Sequence, residues 1–167
     1  HHERLRGEYE VLQIARHKGI AAAYDLDQIA GRLVLHLELA GERTLAQVLR
    51  QDGRLGLDLL QRWGDDLLEV VAFLEQDGIA HRDIKPDNLG IKARKPRDEL
   101  HLVLFDFSLA RTPPEQIRAG TPGYLDPFLD ERPARRWDIH AERWAAAVTL
   151  YEMATGTRPR WGEGVDP

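Results

Sequence analysis

The chain has 167 residues, 43% of them hydrophobic and 31% charged, with 14 glycines and 9 prolines, a composition that suits one globular domain and excludes disordered, collagen-like and coiled-coil classes. Its 28 acidic residues outnumber 23 basic ones for a formal net charge of −5, so no broad basic surface is on offer to nucleic acid or an anionic membrane. There is no cysteine, which removes disulfides, thiolate zinc sites and a cysteine nucleophile together. No apolar run nears the ~18 residues needed to cross a bilayer, and the opening HHERLRGEYE lacks the apolar centre of a secretory signal. The expectation is a cytoplasmic protein with neither direct nucleic-acid binding nor a membrane span. Only Lys18, Lys85, Lys92 and Lys95 are lysines, so the position of each carries information.

In chain order, Leu5, Tyr9, Leu12 and Ala15 recur every three or four residues, with Val11 and Ile14 widening the stripe. The spacing predicts an amphipathic helix from Glu3 to Lys18, stopped at Gly19. Residues 20–39 read as two strands joined at Ala30-Gly31, the second alternating Leu33, Leu35, Leu37 and Leu39 against Val34, His36 and Glu38. Thr44 can cap a short helix to Asp52, before Gly53. A longer helix, from about Leu57 to Asp77, carries Leu60, Trp63, Leu67, Val70, Val71 and Leu74 on one stripe and closes at Gly78. Two short strands, Leu89 to Lys92 and Leu100 to Phe105, flank the charged turn ARKPRDE. Thr112 to Pro133 has no period and reads as irregular. The last element is a buried helix from about Ile139 to Thr155, closed by Gly156. Trp63 and Trp144 read as core residues, and the seven histidines show no metal-ligand spacing.

Between the long helix and the first short strand lies His81-Arg82-Asp83-Ile84-Lys85-Pro86-Asp87-Asn88. It packs a carboxylate, an ammonium and a carboxamide onto a loop held between rigid elements, where reactive groups tend to sit. Asp83 can orient a hydroxyl and accept its proton, Lys85 can neutralise charge on a transferred phosphoryl group, and Asn88 can offer a hard oxygen to magnesium. Asp106-Phe107-Ser108 follows the next strand and supplies a second oxygen ligand. The chemistry is metal-assisted phosphoryl transfer; the bland alternative is a solvated polar loop.

HRDIKPDN resembles the catalytic loop of the eukaryotic-type protein kinases, and DFS resembles their magnesium-binding DFG. All six fixed positions of HRDxKPxN match, a coincidence expected at roughly a few in a million for so short a chain. Further segments are similar: Glu8 with Leu12 to the glutamate and spine residue of the family's αC helix, Glu38 to the start of its hinge, GTPGYLDPF to the GTPxYxAPE end of its activation segment, and WAAAVTLYEMATG to its buried αF helix. The resemblance implies an α+β, protein-kinase-like fold, mostly the helical large lobe with part of the small lobe, the αC helix and a hairpin. Residues 1–39 would be the remnant of small lobe and hinge, and 40–167 the large lobe through αF. No G-x-G-x-x-G occurs and no lysine precedes Glu8. The chain is therefore expected to be an excerpt of a larger multidomain protein.

The same resemblance implies residue roles. Asp83 would be the catalytic base, Lys85 the γ-phosphate partner, and Asn88 and Asp106 the Mg2+ ligands. Glu38 and Ala40 would offer backbone groups to the adenine of ATP, and Glu8 would pair with a small-lobe lysine. His81 and Phe107 would pack with Leu12. Arg82 would pair with a phosphate on the activation segment, most simply at Thr112, and Thr121 would touch Asp83 and Lys85. Lysine two places after Asp83 favours the serine/threonine branch and hence a protein substrate. Three positions depart from the family: Ser108 replaces its glycine, Phe128 replaces the glutamate of APE, and Glu142 stands where an aspartate usually anchors the catalytic loop, with Asp138 one turn earlier as the competing candidate. A pseudokinase scaffold and a small-molecule phosphotransferase of kinase-like fold are the rival functions. More narrowly, GYLDPF, the DIHAERWAAAVTLYEMATG helix and the closing PRWGEG resemble the kinases of bacterial Pgl/BREX-type phage-defence systems.

Overall fold

A computed structural model describes residues 2–97 and 99–160. Asp98 of the charged turn, His1, and most of the closing PRWGEG with the end of the expected large lobe lie outside the described residues.

The chain opens with α1 (His2–Ile14) and a hairpin of β1 (Ala23–Ile29) and β2 (Arg32–Leu37). The hairpin pairs Ile29 with Arg32 across a two-residue turn in which Ala30 and Gly31 both have positive φ, 48° and 76°. That is the turn whose twist suits paired strands, and glycine takes it without strain. A second sheet follows, in the order β3 (Arg43–Thr44), β4 (Leu89–Arg94), β5 (Glu99–Leu104), all antiparallel. Between β3 and β4 come α2 (Leu45–Asp52), α3 (Leu57–Gln76) and a 3₁₀ turn over Pro86–Asn88. After β5 the chain runs without regular structure apart from a 3₁₀ turn at Leu129–Glu131, and ends in α4 (Ile139–Thr155).

The local signals explain most of these boundaries. Thr44 caps α2 with a reciprocal box, its hydroxyl accepting from Gln47 N–H while the Gln47 side chain accepts from Thr44 N–H. Asp138 caps α4 by accepting from His140 and Ala141 N–H, and Gly156 ends it in the left-handed region. The predicted stripe of α3 is buried at Trp63, Leu67, Val70, Val71 and Leu74, and packs against α4 and the sheet. With Leu45, Ile84, Leu89, Leu102, Leu104, Phe107 and Met153 these form one main core. The Trp63 indole N–H donates to Leu100 O at 2.9 Å, and truncating such a residue to alanine costs about 3–5 kcal/mol.

Three expectations need correction. α1 ends at Ile14 rather than Lys18. Gly19 is not its stop: it joins residues 19–21 to the end of β5, Gly19 O accepting from Leu104 N (2.7 Å) and Ala21 N donating to Leu104 O (2.9 Å). A Cβ at Gly19 would lie 2.3 Å from Val70 Cγ2, so glycine is there to let the strand pass α3. Ile14 is exposed rather than part of the buried stripe. The alternation of β2 likewise does not translate into burial, since Leu37 and Leu39 are exposed, 39% and 70%. Among the described residues the hairpin is a two-stranded sheet with α1 against it.

Candidate active site

The loop 81–88 leaves α3 and is tied down at its start by the long terminal helix. Glu142, on the first turn of α4 and buried, accepts from His81 N–H through Oε2 (3.2 Å) and from Arg82 N–H through Oε1 (2.9 Å). The same Oε1 takes the Trp137 indole N–H at 2.6 Å. Glu142 rather than Asp138 is therefore the anchor, and Asp138 is spent on capping α4. Burial pushes the Glu142 carboxyl up to about 6 in spite of its three donors. Arg82 sits at φ 72°, a conformation that costs a non-glycine residue of order 1–3 kcal/mol, and the anchor bonds on both sides of that peptide hold it there.

His81 is wholly buried. Its Nε2 lies 3.0 Å from Phe105 O, and its Nδ1 accepts from Asp83 N–H at 3.2 Å. Those partners require the neutral tautomer protonated on Nε2, and burial holds its pKa below the ordinary histidine value. The ring meets Phe107 edge-on, 4.6 Å between centroids, and Phe107 shares the main core with Leu12. The expected contact of His81 with Phe107 is present.

Asp83 collects the reactive groups. Its Oδ1 accepts from Thr121 Oγ1 at 2.5 Å, and its Oδ2 accepts from Lys85 Nζ at 2.8 Å and Asn88 Nδ2 at 3.1 Å. Lys85 Nζ also donates to Thr121 Oγ1, at 2.5 Å, and Asn88 Nδ2 to Asp83 O at 2.9 Å. Burial alone would raise the Asp83 pKa, but the bonds from Lys85, Thr121 and Asn88 and the lysine charge outweigh it and hold the carboxyl below the usual range. Asp83 is thus ionised at neutral pH and faces a hydroxyl. The four residues come from two stretches of chain 33 or more residues apart, 83–88 and 121.

Asn88 and Asp106 emerge from adjacent strand ends: Leu89 pairs with Leu104, and Asn88 O accepts from Phe105 N–H at 3.0 Å. Asn88 spends its amide hydrogens on Asp83, which leaves Oδ1 as its acceptor, and Asp106 accepts from Ser108 N–H through Oδ1 at 3.3 Å. A carboxamide oxygen and a carboxylate suit a hard cation such as magnesium. Among the described residues no group of three histidine, cysteine or acidic side chains could hold a metal, so a cation here would take its remaining ligands from phosphate oxygens and water. Asp106 itself has φ 65°.

Glu8 is buried on α1 and accepts from Phe107 N–H at 3.1 Å. Burial, reinforced by the nearby Asp106 carboxylate, raises its pKa. The structure thus brings Glu8 to the Asp106 segment. Glu38 is placed elsewhere. Its N–H donates to Ala22 O (2.8 Å), and its carboxylate accepts from Ala22 N–H (3.1 Å) and pairs with Lys92. Burial would raise this carboxyl, but the bonds from Lys92 and Ala22 hold it below its usual value. With Tyr24, Leu39, Trp63, Ile91 and Lys92 it borders a cleft of about 760 Å³. Ala40 follows, its carbonyl packed on Gly90 at the start of β4.

Several contacts had no signal in the sequence. Arg4 donates to both the carbonyl (3.0 Å) and the hydroxyl (3.2 Å) of Ser108, so the serine that replaces glycine ties the segment to α1. Phe128, where an apolar contact is expected in place of an ion pair, does meet Trp144 edge-on, 5.8 Å between centroids. Arg132 pairs with buried Asp126 and, at 2.6 Å, with Asp138. Arg82, expected to await a phosphate, instead donates to backbone carbonyls of residues 112–116.

The family model described as protein kinase domain matches residues 1–166. The chain is 44% identical over 184 aligned residues to Probable kinase PglW of Streptomyces coelicolor, an alignment covering 97% of this chain and 12% of that protein. It is 32% identical to CBL-interacting protein kinase 16 of Oryza sativa, covering 94% of this chain and 34% of the other, and 31% identical to serine/threonine-protein kinase 36 of Pongo abelii, covering 96% and 12%. The chain therefore spans between 12% and 34% of the length of these relatives.

Proposed function

This chain belongs to the protein kinase family, and from that premise we propose that the protein containing it transfers the γ-phosphoryl group of Mg-ATP to serine or threonine hydroxyls of a protein substrate. The observation that carries the reading is the ionised Asp83 carboxylate, 2.5 Å from the Thr121 hydroxyl and 2.8 Å from Lys85 Nζ. The Thr121 hydroxyl donating to Asp83 Oδ1 supports the reading of that oxygen as the acceptor of an alcohol proton. A substrate hydroxyl held there would have its oxygen aimed and its proton taken by Asp83 as that oxygen bonds to the γ-phosphorus and the bond from the γ-phosphorus to the bridging oxygen breaks, ADP leaving with that oxygen. Lys85, within reach of the same oxygens, neutralises charge on the transferred group. Asn88 and Asp106 would hold the cation, which would neutralise charge on the phosphate oxygens of the nucleotide. Glu38 and Ala40, through backbone groups, are the residues assigned to adenine, and Glu8 to a lysine elsewhere in the protein. The Thr121 contact favours a peptide over a small-molecule acceptor, because it ties the reacting carboxylate to the 120–128 segment.

Asp83→Asn in the intact protein should lower kcat by about 100-fold or more, the usual worth of a positioned base, with little change in thermal unfolding. Radiolabel transfer from ATP to protein measures it. Undiminished transfer would refute the mechanism, and magnesium-dependent ATP binding without transfer by the unaltered protein would make it a scaffold.

The narrower role, in bacterial phage defence within a larger cytoplasmic protein, rests on the resemblance of GYLDPF and the 138–156 helix to kinases of those systems. It is supported by the 44% identity to PglW and the 12% coverage of that protein. No described helix is long and apolar enough to cross a membrane. Plaque counts should rise when Asp83→Asn replaces the native residue in the host, and unchanged resistance would remove this part of the reading.

A further inference from the structure

The guanidinium of Arg82 is the one cation in the loop 81–88 that the phosphoryl-transfer chemistry leaves unused, and the structure gives both of its terminal nitrogens partners. Nη1 donates to Thr112 O at 2.5 Å and Pro113 O at 2.9 Å, and Nη2 donates to Gln116 O at 2.7 Å. The plane lies over the Trp137 ring, 4.8 Å from its centroid. Trp137, itself buried, returns to the same turn through its backbone N–H, which donates to Pro114 O at 2.7 Å. The Arg82 side chain and the Trp137 backbone thus hold four carbonyls of the stretch 112–116. The remaining link is Glu142, which accepts both the Trp137 indole N–H and the Arg82 backbone N–H. The circuit is closed: Arg82 side chain to segment, segment to Trp137, Trp137 to Glu142, Glu142 to Arg82 backbone. The next residue is Asp83.

From this circuit, and resting on the kinase reading above, we propose that the segment from Asp106 to Phe128 is set in its working position by Arg82 and Trp137 without any phosphate, and that Trp137 is a positioning residue for Asp83. The carbonyls of residues 112, 113 and 116 take the donors that phosphate oxygens would otherwise take. Only 2% of the Arg82 surface is exposed, and its Nε is buried without a partner among the described residues. A phosphate could reach it only after the 112–116 turn lifts away. A phosphate added at Thr112 would also bring its charge toward Glu115 and Glu142, the carboxylates that already act on this guanidinium. Of the other hydroxyls on the segment, Ser108 is bound by Arg4, Thr121 by Asp83 and Lys85, and Tyr124 donates to Glu152 at 2.5 Å. Arginine is required rather than lysine, because three divergent carbonyls need a fork of donors.

The test uses the full-length protein, produced with and without a co-expressed broad-specificity phosphatase, with mass spectrometry to confirm that residues 106–128 carry no phosphate. The phosphate-free protein should transfer phosphate from ATP to myelin basic protein without a lag, within about twofold of the untreated rate. Trp137→Phe keeps the ring and removes the indole donor; it should lower kcat by about tenfold while KM for ATP stays within about twofold. Arg82→Lys should do more damage. Hydrogen exchange over residues 110–118 gives a readout independent of turnover: slow in phosphate-free wild type, faster in both variants. Free exchange there in phosphate-free wild type, or a rate that appears only after Thr112 is phosphorylated, would overturn the proposal. So would Trp137→Phe with unaltered kcat and exchange. If slow exchange is found together with no transfer by any form, the proposed activity fails and the clamp stands.

Discussion

Replacing Glu142 with glutamine tests how the loop bearing Asp83 is held. The carboxylate takes three donors, Arg82 N–H and the Trp137 indole N–H on Oε1 and His81 N–H on Oε2. A glutamine has one acceptor oxygen. Its cheaper orientation keeps that oxygen at the Oε1 position and turns an NH2 toward His81 N–H, so one buried donor loses its partner and faces another donor. An unsatisfied buried group costs about 1–3 kcal/mol, and the middle of that range, about 2 kcal/mol, corresponds to roughly 30-fold in an opening equilibrium. Hydrogen exchange of the intact protein over residues 79–84 should therefore quicken by about that factor, with kcat falling as Asp83 loosens. The sign of the pH dependence follows from the same group. Its folded pKa, about 6, lies above the ordinary 4.5, so the native state binds the proton more tightly and this residue's contribution to stability is full below pH 4.5 and is lost as pH rises through 6. That difference amounts to about 2 kcal/mol. Urea midpoints of wild type should drop by the corresponding amount over that window relative to Glu142→Gln, after other titrations common to both cancel. Equal exchange rates at His81 and Arg82 in the two proteins, together with the same pH slope, would refute the reasoning.

Two further perturbations probe other joints. Arg132→Leu leaves the buried Asp126 carboxylate without its cation; its Oδ1 still accepts Phe128 N–H at 2.9 Å, so the loss should fall at the low end of the roughly 3–5 kcal/mol typical of a broken buried pair, read from urea unfolding. Gly90→Ala would set a Cβ 2.4 Å from Ala40 O and 2.7 Å from Ala40 Cβ, which forces residues 38–41 off β4; KM for ATP should rise several-fold with kcat nearly unchanged, and an unchanged KM would show that residues 38–40 do not contact the nucleotide.

What could be read in advance was short-range. The Thr44 cap is written in one residue ahead of a short helix, the stripe of α3 in one helix, and HRDIKPDN in eight positions, so each was visible without knowing what lay across the fold. The end of α1 was missed because what closes it, the Arg16 side chain donating to Gln13 O, is no sequence stop signal, and Gly19 answers to Val70, 51 residues away. Alternating leucines located the second strand of the hairpin, but burial of a face needs an opposing layer, which the alternation does not encode. The most consequential miss was Arg82. Its place in the motif identifies the residue but not its partners, because backbone carbonyls carry no sequence signature and any residue at 112, 113 or 116 would offer one. Glu142, by contrast, could be assigned by counting from Trp144, and the three donors around it agree.

The short seam between residues 19–21 and Leu104 gives the molecule a lever. Two bonds, 2.7 and 2.9 Å long, rivet the exit of α1 to a strand that finishes two residues ahead of Asp106. Glu8, on that same helix, grips Phe107 just past it. A neighbour that tilts α1 therefore drags the Asp106 carboxylate from both flanks at once, so on the proposed reading leverage applied to the outer end of the helix would register as altered magnesium affinity.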